Sequence, residues 1–250
     1  MEFNKELTVQ QNETCMKLRK MKMSGMADSY AKQAKNPNQE LRSFDERFME
    51  IVEYEYSLRY NKKYERFLKR ATLKYPAADF DQSIYDPDRL LDTDTIERLA
   101  TCDWITEGKN LIITGATGAG KSYIASALCV SALHQFKTVK YIRANTLMNE
   151  LEQARIKSTF LDYINTMAKY DLLVIDDFGL MELDLDKCRD LFEVIETRES
   201  RKSMIIVSQL PVASWYQLFA DNTYADACLD RIVHKAFRLE FKGRNMRKGS

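Results

Sequence analysis

The sequence predicts an α/β fold: a mostly parallel five-stranded sheet covered by helices on both faces and preceded by a small all-α N-terminal domain. Three observations carry that prediction. Five short apolar runs alternate with helix-length stretches from Asn110 onward. The first of these runs leads straight into a glycine-rich loop. The first 75 residues, by contrast, hold one proline, Pro37, and one glycine, Gly25, with apolar residues at helical spacing.

In chain order, Met16, Leu18, Met21, Met23 and Met26, then Phe44, Phe48, Ile51, Val52 and Tyr56, mark two or three helices broken near Asn36-Pro37-Asn38. Ser43 with Glu46 has the spacing of a capping box at the start of the long second helix. Between Pro76 and Thr95 the texture changes. Pro76, Pro87 and the aspartates Asp79, Asp81, Asp86, Asp88, Asp92 and Asp94 punctuate a linker. The expected division is therefore a helical domain over 1–75, a linker over 76–98 and a nucleotide-binding domain over 99–250. Strands are expected at Leu111–Thr114, Val139–Ile142, Leu172–Ile175, Met204–Ser208 and Arg238–Phe241, with helices near 121–136, 145–168, 184–200 and 223–236. Strands this apolar, separated by helices, fit a parallel sheet buried on both faces.

Composition narrows the function classes. The 250 residues are 45% apolar and 30% charged, and the longest apolar runs are too short to cross a bilayer. The start, with its early acids, has no apolar signal core, and the expectation is a cytoplasmic protein with no membrane attachment. Five scattered cysteines (Cys15, Cys102, Cys129, Cys188, Cys228) form no CxxC pair, which argues against a disulfide scaffold or a structural zinc site and for buried reduced thiols. Net charge is +1, but residues 1–75 carry 16 basic side chains against 11 acidic ones, so the excess is N-terminal. That imbalance suits an anionic partner.

The chemistry is concentrated in two stretches. Gly115-Ala116-Thr117-Gly118-Ala119-Gly120-Lys121-Ser122 satisfies G-x-x-x-x-G-K-[S/T], with a strand before it and a helix after it. Such a loop wraps a phosphate with backbone N–H groups and adds the positive end of a helix dipole. Lys121 is placed to reach the β- and γ-phosphates, Ser122 to ligate Mg²⁺, and Tyr123 to contact the nucleotide beside them. Leu172-Leu173-Val174-Ile175-Asp176-Asp177 is the expected second half, an apolar strand ending in two carboxylates. Asp176 is placed to hold Mg²⁺. Asp177 either activates the attacking water or is a solvated loop residue.

Three later features refine the class. Ile205-Ile206-Val207-Ser208-Gln209 is an apolar strand whose polar end could sense a γ-phosphate. Arg231 sits late in a helix just before the last strand, where it is either a surface ion-pair partner or a charge offered to a neighbouring subunit's nucleotide. No Asn-Lys-x-Asp guanine pair is present, which weakens a GTPase reading.

Taken together, GATGAGKS, LLVIDDFG, VSQLP followed by Trp215, and ADACLDRIVHKAFRLEFKGRNMRK resemble the IstB-like transposition helper ATPases. That family is related to the DnaC helicase loaders and DnaA-type initiators within the AAA+ superfamily, and the resemblance runs through roughly residues 100–248. It implies a P-loop AAA+ three-layer fold, ATP and Mg²⁺ as ligands, and an ATPase assisted by DNA or a partner. It places Lys121, Ser122, Asp176 and Asp177 at the Walker positions, Ser208 and Gln209 at the first sensor and Arg231 at the arginine finger. The partners it implies are double-stranded DNA, a transposase and further copies of the chain with ATP between them. One departure stands out: nine residues follow Phe241, so the helical lid of the wider class is expected to be missing or vestigial, with Arg244 or Arg247 as stand-ins for its arginine.

Residues 57–74 add a candidate nucleic-acid face, with seven basic residues against one acid. On a helix, Arg59, Lys62, Lys63, Arg66, Lys69 and Arg70 make a broad cationic surface beside Tyr60, Tyr64 and Phe67. The cations suit phosphate contacts or a solvated face; the aromatics suit packing. The favoured function is an ATP-driven assembly on duplex DNA that serves a transposase. A helicase loader, a small-molecule kinase and a nucleotide-binding module without turnover are the alternatives. The kinase would need a substrate lid that the sequence does not show.

Overall fold

A computed structural model describes residues 6–36, 38, 41–80 and 93–241. Pro37, Pro87, the aspartates between 81 and 92, and Arg244 and Arg247 lie outside the described residues, as does the whole stretch on which the lid expectation rests. The described chain resolves into two compact units, Met1–Glu65 and Arg66–Ser250.

The first unit is helical: α1 (Val9–Lys20), α2 (Ser24–Lys35) and most of α3 (Phe44–Ala71). Thr8 and Gln11 close a capping box on α1. The Ser43 and Glu46 pair does the same for α3, with Glu46 N–H donating to Ser43 Oγ at 3.3 Å and Ser43 N–H to Glu46 Oε2 at 3.0 Å. One break was not legible. Met21 and Met23 read as one helical stripe with Met16, but Lys22 turns left-handed at φ 60° and separates α1 from α2. Gly25 is required where α2 crosses α3: a Cβ there would meet Leu58 Cδ1 at 2.7 Å and Glu55 Oε2 at 2.8 Å. Glu55 accepts from Met26 N–H at 3.1 Å and from Arg59 Nε at 2.6 Å. Burial pushes its carboxyl upward, but these hydrogen bonds prevail and hold it below the usual range.

The second unit holds a five-stranded parallel sheet in the order β2-β3-β4-β1-β5. Its strands are β1 (Leu111–Gly115), β2 (Val139–Arg143), β3 (Leu172–Phe178), β4 (Ser203–Ser208) and β5 (Phe237–Phe241). Side-chain alternation splits them into two buried faces. Ile112, Ile142, Leu173, Ile175, Met204 and Ile206 face α7 (Ala144–Ile156), α8 (Phe160–Lys169), α9 (Leu185–Glu196) and α10 (Asn222–Val233). The other face packs on α6 (Lys121–His134), with α4 (Thr93–Ala100) and α5 (Asp103–Thr106) beside it.

Three expectations need correction. The helix expected over 145–168 is two helices, because Ser158 adopts φ 56° and Thr159 N–H bonds back to Ala154 O, ending α7. Residues 93–98, read as linker, begin a helix whose Ile96 and Leu99 are buried. β3 runs on through its carboxylates to Phe178, with a register shift against β4 between Ile175 and Phe178. All five cysteines are buried and free, and burial pushes the Cys102 thiol up to about 11 and Cys228 to about 12.

Candidate nucleotide-binding site

Sheet order makes the site. β4 lies between β1 and β3, so the loop after β1, the end of β4 and the carboxylates of β3 meet at one sheet edge. This is the carboxyl-terminal edge, where open parallel sheets bind ligands. Gly115 leaves β1 at φ 143°, and a Cβ there would lie 2.5 Å from Phe241 O in the neighbouring strand. Gly118 (φ 82°) and Gly120 (φ 92°) are left-handed, as a loop curling its N–H groups inward requires. Gly120 then caps α6, whose first residue is Lys121. The Lys121 ammonium is buried and donates to Ala116 O at 2.8 Å, across the mouth of the loop.

Asp176 is 1% exposed and is the centre of the site. Its carboxylate accepts from Tyr141 OH at 2.6 Å, Lys74 Nζ at 3.0 Å, Ser122 Oγ at 3.0 Å and Asp177 N–H at 2.8 Å. Burial raises this carboxyl, but the Tyr141 and Lys74 hydrogen bonds outweigh it and hold Asp176 below the usual range. Burial and the adjacent carboxylate push the Tyr141 phenol up, so it stays a donor. A hydroxyl and a carboxylate 3.0 Å apart form the hard-oxygen pair that suits Mg²⁺. The residues present therefore fit the cation.

Asp177 turns left-handed at φ 59°, and its carboxylate lies near Arg143, Oδ2 to Nε 3.8 Å. A non-glycine residue held in this region stores a modest strain, a pattern found at functional sites. The two sensor candidates separate cleanly. Ser208 is buried, donating to Phe178 O at 2.6 Å and accepting from Leu210 N–H at 3.1 Å, so its hydroxyl is committed to the fold. Gln209 Oε1 accepts from Thr117 Oγ1 at 2.6 Å and so reaches the phosphate loop. Tyr123 lies beside Tyr75, ring centroids 5.8 Å apart.

Arg231 is elsewhere. The carbonyls of Arg231 and Ile232 accept from Asn110 Nδ2 at 3.0 and 3.2 Å, and Asn110 immediately precedes β1. The end of α10 thus lies at the opposite sheet edge from the phosphate loop, about 16 Å away at a strand's rise per residue. The guanidinium Nε sits 2.6 Å from Glu196 and 2.9 Å from Glu199. Of the cationic face, Arg59, Lys62, Lys63, Arg66, Lys69 and Arg70 are all exposed, and Arg59 also donates to Glu55 and to Lys22 O at 2.8 Å. Half-buried Phe67 packs edge-on against half-buried Phe136, a geometry aromatic pairs prefer. Sequence reasoning missed Lys74, Tyr141 and Arg143; their common signal, a basic or phenolic side chain on a strand end or beside a helix end, is too ordinary to single them out.

With that geometry in place, comparison with known proteins decides the family. Residues 16–250 match the family described as IstB-like ATP binding protein. The chain belongs to that family. It is 36% identical to the insertion sequence ATP-binding protein y4uH of Sinorhizobium fredii over 92% of this chain and 93% of that one. It is 37% identical to y4pL of the same organism, over 94% and 96%. Among solved structures, the DnaC helicase loader superposes with a TM-score of 0.51 at 19% identity, covering 59% of this chain and 86% of that one. DnaI gives 0.53 at 17%, covering 71% and 94%. AMPPCP-bound DnaA from Aquifex aeolicus gives 0.52 at 17%, covering 62% and 47%. The IstB-like chain thus has the DnaC- and DnaA-like AAA+ fold, and its phosphate loop is that of an ATP-binding family. No helix among its described residues is long and apolar enough to cross a membrane.

Proposed function

We propose that this IstB-like protein is an ATPase that assembles on duplex DNA and hands a target site to a transposase. The observation that carries the reading is the separation of Arg231 from its own phosphate loop by the height of the sheet. A cation held at the far edge is out of reach of its own copy's nucleotide; exchanging Glu196 and Glu199 for a nucleotide bound by another copy makes ATP an assembly ligand in this scheme. In this scheme the Gly115–Ser122 backbone and Lys121 grip the phosphates, Tyr123 lies beside them, and Ser122 with Asp176 holds Mg²⁺. The cation supplies charge neutralisation on the phosphate oxygens. Gln209 positions the γ-phosphate and Asp177 accepts the proton of the attacking water. Lys62, Lys63, Arg66, Lys69 and Arg70 face the DNA backbone.

The test is the size of the purified protein with duplex DNA, with and without a non-hydrolysable ATP analogue. Large complexes are expected only when both are present; a single-chain mass under every condition sinks the reading. Growth without any helicase present separates it from a helicase loader, which would need that partner instead of duplex. Lys121→Ala removes a buried charge opposite phosphate and should weaken nucleotide binding roughly 10²–10³-fold, abolishing assembly at working ATP concentrations. A fluorescent ATP analogue titrated into both proteins measures this. Asp177→Asn keeps a residue that tolerates the left-handed turn, so melting temperature should hold while hydrolysis falls by about 10²-fold. Single-turnover phosphate release checks it, and an unchanged rate removes Asp177 from the chemistry.

A further inference from the structure

The residue that completes the cation pair is not in any motif. Lys74 Nζ lies 3.0 Å from Asp176 Oδ2 and 3.1 Å from Ser122 Oγ, bridging the same two oxygens that suit Mg²⁺. It arrives on a short strap that follows α3. Thr72 turns the chain at φ 54° and donates to Tyr141 O at 2.9 Å. Tyr75 stands against Tyr123, Ala78 is 2% exposed, and Asp79 N–H donates to the Tyr123 hydroxyl at 3.3 Å. The strap therefore runs from the end of β2, over Asp176, to the first turn of α6.

We propose that Lys74 is the resident counter-ion of the divalent-cation site, and that the metal-loaded nucleotide and the strap compete for Ser122 and Asp176. This rests on the reading of the site as an ATP site. The physical case is simple. A carboxylate as buried as Asp176 is costly without a compensating charge, and among the described residues Lys74 supplies it. A second cation on the same oxygens would repel the ammonium at close range in a poorly screened place. One of the two must leave. The side chain of Lys74 is long, flexible and 24% exposed, so it can withdraw to water, whereas Asp176 and Ser122 are fixed on β3 and α6. The exchange has a direction: arrival of metal with nucleotide frees Lys74 and loosens the strap, and loss of the metal lets the ammonium restore the closed site. Metal-free nucleotide leaves the ammonium in place.

Trypsin reads the exchange directly, because cleavage after Lys74 needs its side chain free. In the full-length wild-type protein the peptide ending at Lys74 should appear slowly without ligand and slowly with a non-hydrolysable ATP analogue in EDTA. With the same analogue and Mg²⁺ it should appear about tenfold faster. In parallel, a fluorescent ATP analogue is titrated with Mg²⁺ in wild type and in Lys74→Met. The variant should reach half-saturation at about tenfold lower Mg²⁺, equivalent to about 1.4 kcal/mol. Cleavage that ignores Mg²⁺ while the nucleotide binds overturns the exchange and leaves the ATP site standing. A Lys74→Met effect of equal size with and without metal overturns it too, since that is a packing defect. Failure of the wild type to bind the analogue at all brings down the ATP site and the exchange together.

Discussion

Arg231→Ala should bind ATP as the wild type does and yet hydrolyse it about 10³–10⁵-fold more slowly than the wild-type assembly, the effect of an arginine that serves a neighbour's transition state. The reason lies in where the helix ends. Asn110 pins the last carbonyls of α10 at the entry to β1, while the phosphate loop lies beyond its exit. The variant's own site is untouched, so its affinity for nucleotide holds. Its assembly should fail, because in the proposed scheme that guanidinium bridges two copies. Folding should survive: the partners it leaves, Glu196 and Glu199, are 44% and 42% exposed and can solvate themselves, a change within about 1 kcal/mol. Mixing settles the trans role. Arg231→Ala combined with Lys121→Ala, each inactive alone, should regain hydrolysis at the one interface that joins an intact loop to an intact arginine. No recovery on mixing, with both variants folded, would remove the trans role.

Affinity for duplex DNA should fall roughly 10³–10⁵-fold between 50 and 200 mM salt if six to ten cations contact phosphate across the assembly. In the proposed scheme the exposed face of α3 would supply them in repeated sets. Lys62, Lys63, Arg66 and Lys69 recur at helical spacing, with Arg70 beside Lys69, so each copy offers a row of cations. Contacts of this kind release counterions and read no bases, so the loss should be the same on unrelated sequences. Fluorescence anisotropy on two duplexes across that salt range measures it. A flat curve would place the affinity in groups other than these, and a sequence-dependent slope would demand base contacts.

The nucleotide site was legible in proportion to how local its parts are. The glycine loop, Lys121 and Ser122 form one unbroken stretch, and each residue type there answers a backbone need, such as the left-handed turns at Gly118 and Gly120. Asp176 was legible because an apolar strand that stops at two acids is itself a local pattern. Helix breaks were less so. Ser158 and Lys22 turn left-handed without glycine or proline to announce it, and the apolar spacing continues across both. The different surroundings of Ser208 and Gln209 needed coordinates, since only neighbours in space reveal that one hydroxyl is committed to Phe178 O. Arg198 shows the limit from the other side. No sequence pattern singles it out, yet it is fully buried and donates to the carbonyls of Met167, Tyr170 and Ser203.

By itself, then, the sequence determined the order of strands and helices, the phosphate loop and the family, because periodicity and contiguous motifs encode backbone conformation directly. Only the tertiary structure decided that Lys74 neutralises an aspartate 102 residues away, that Gln209 meets Thr117, and that Arg231 stands at the far edge from its own phosphate loop. Those relations are set by which strands lie side by side. Strand order follows from burying both faces of the sheet at once, a condition on the whole chain that no short window contains.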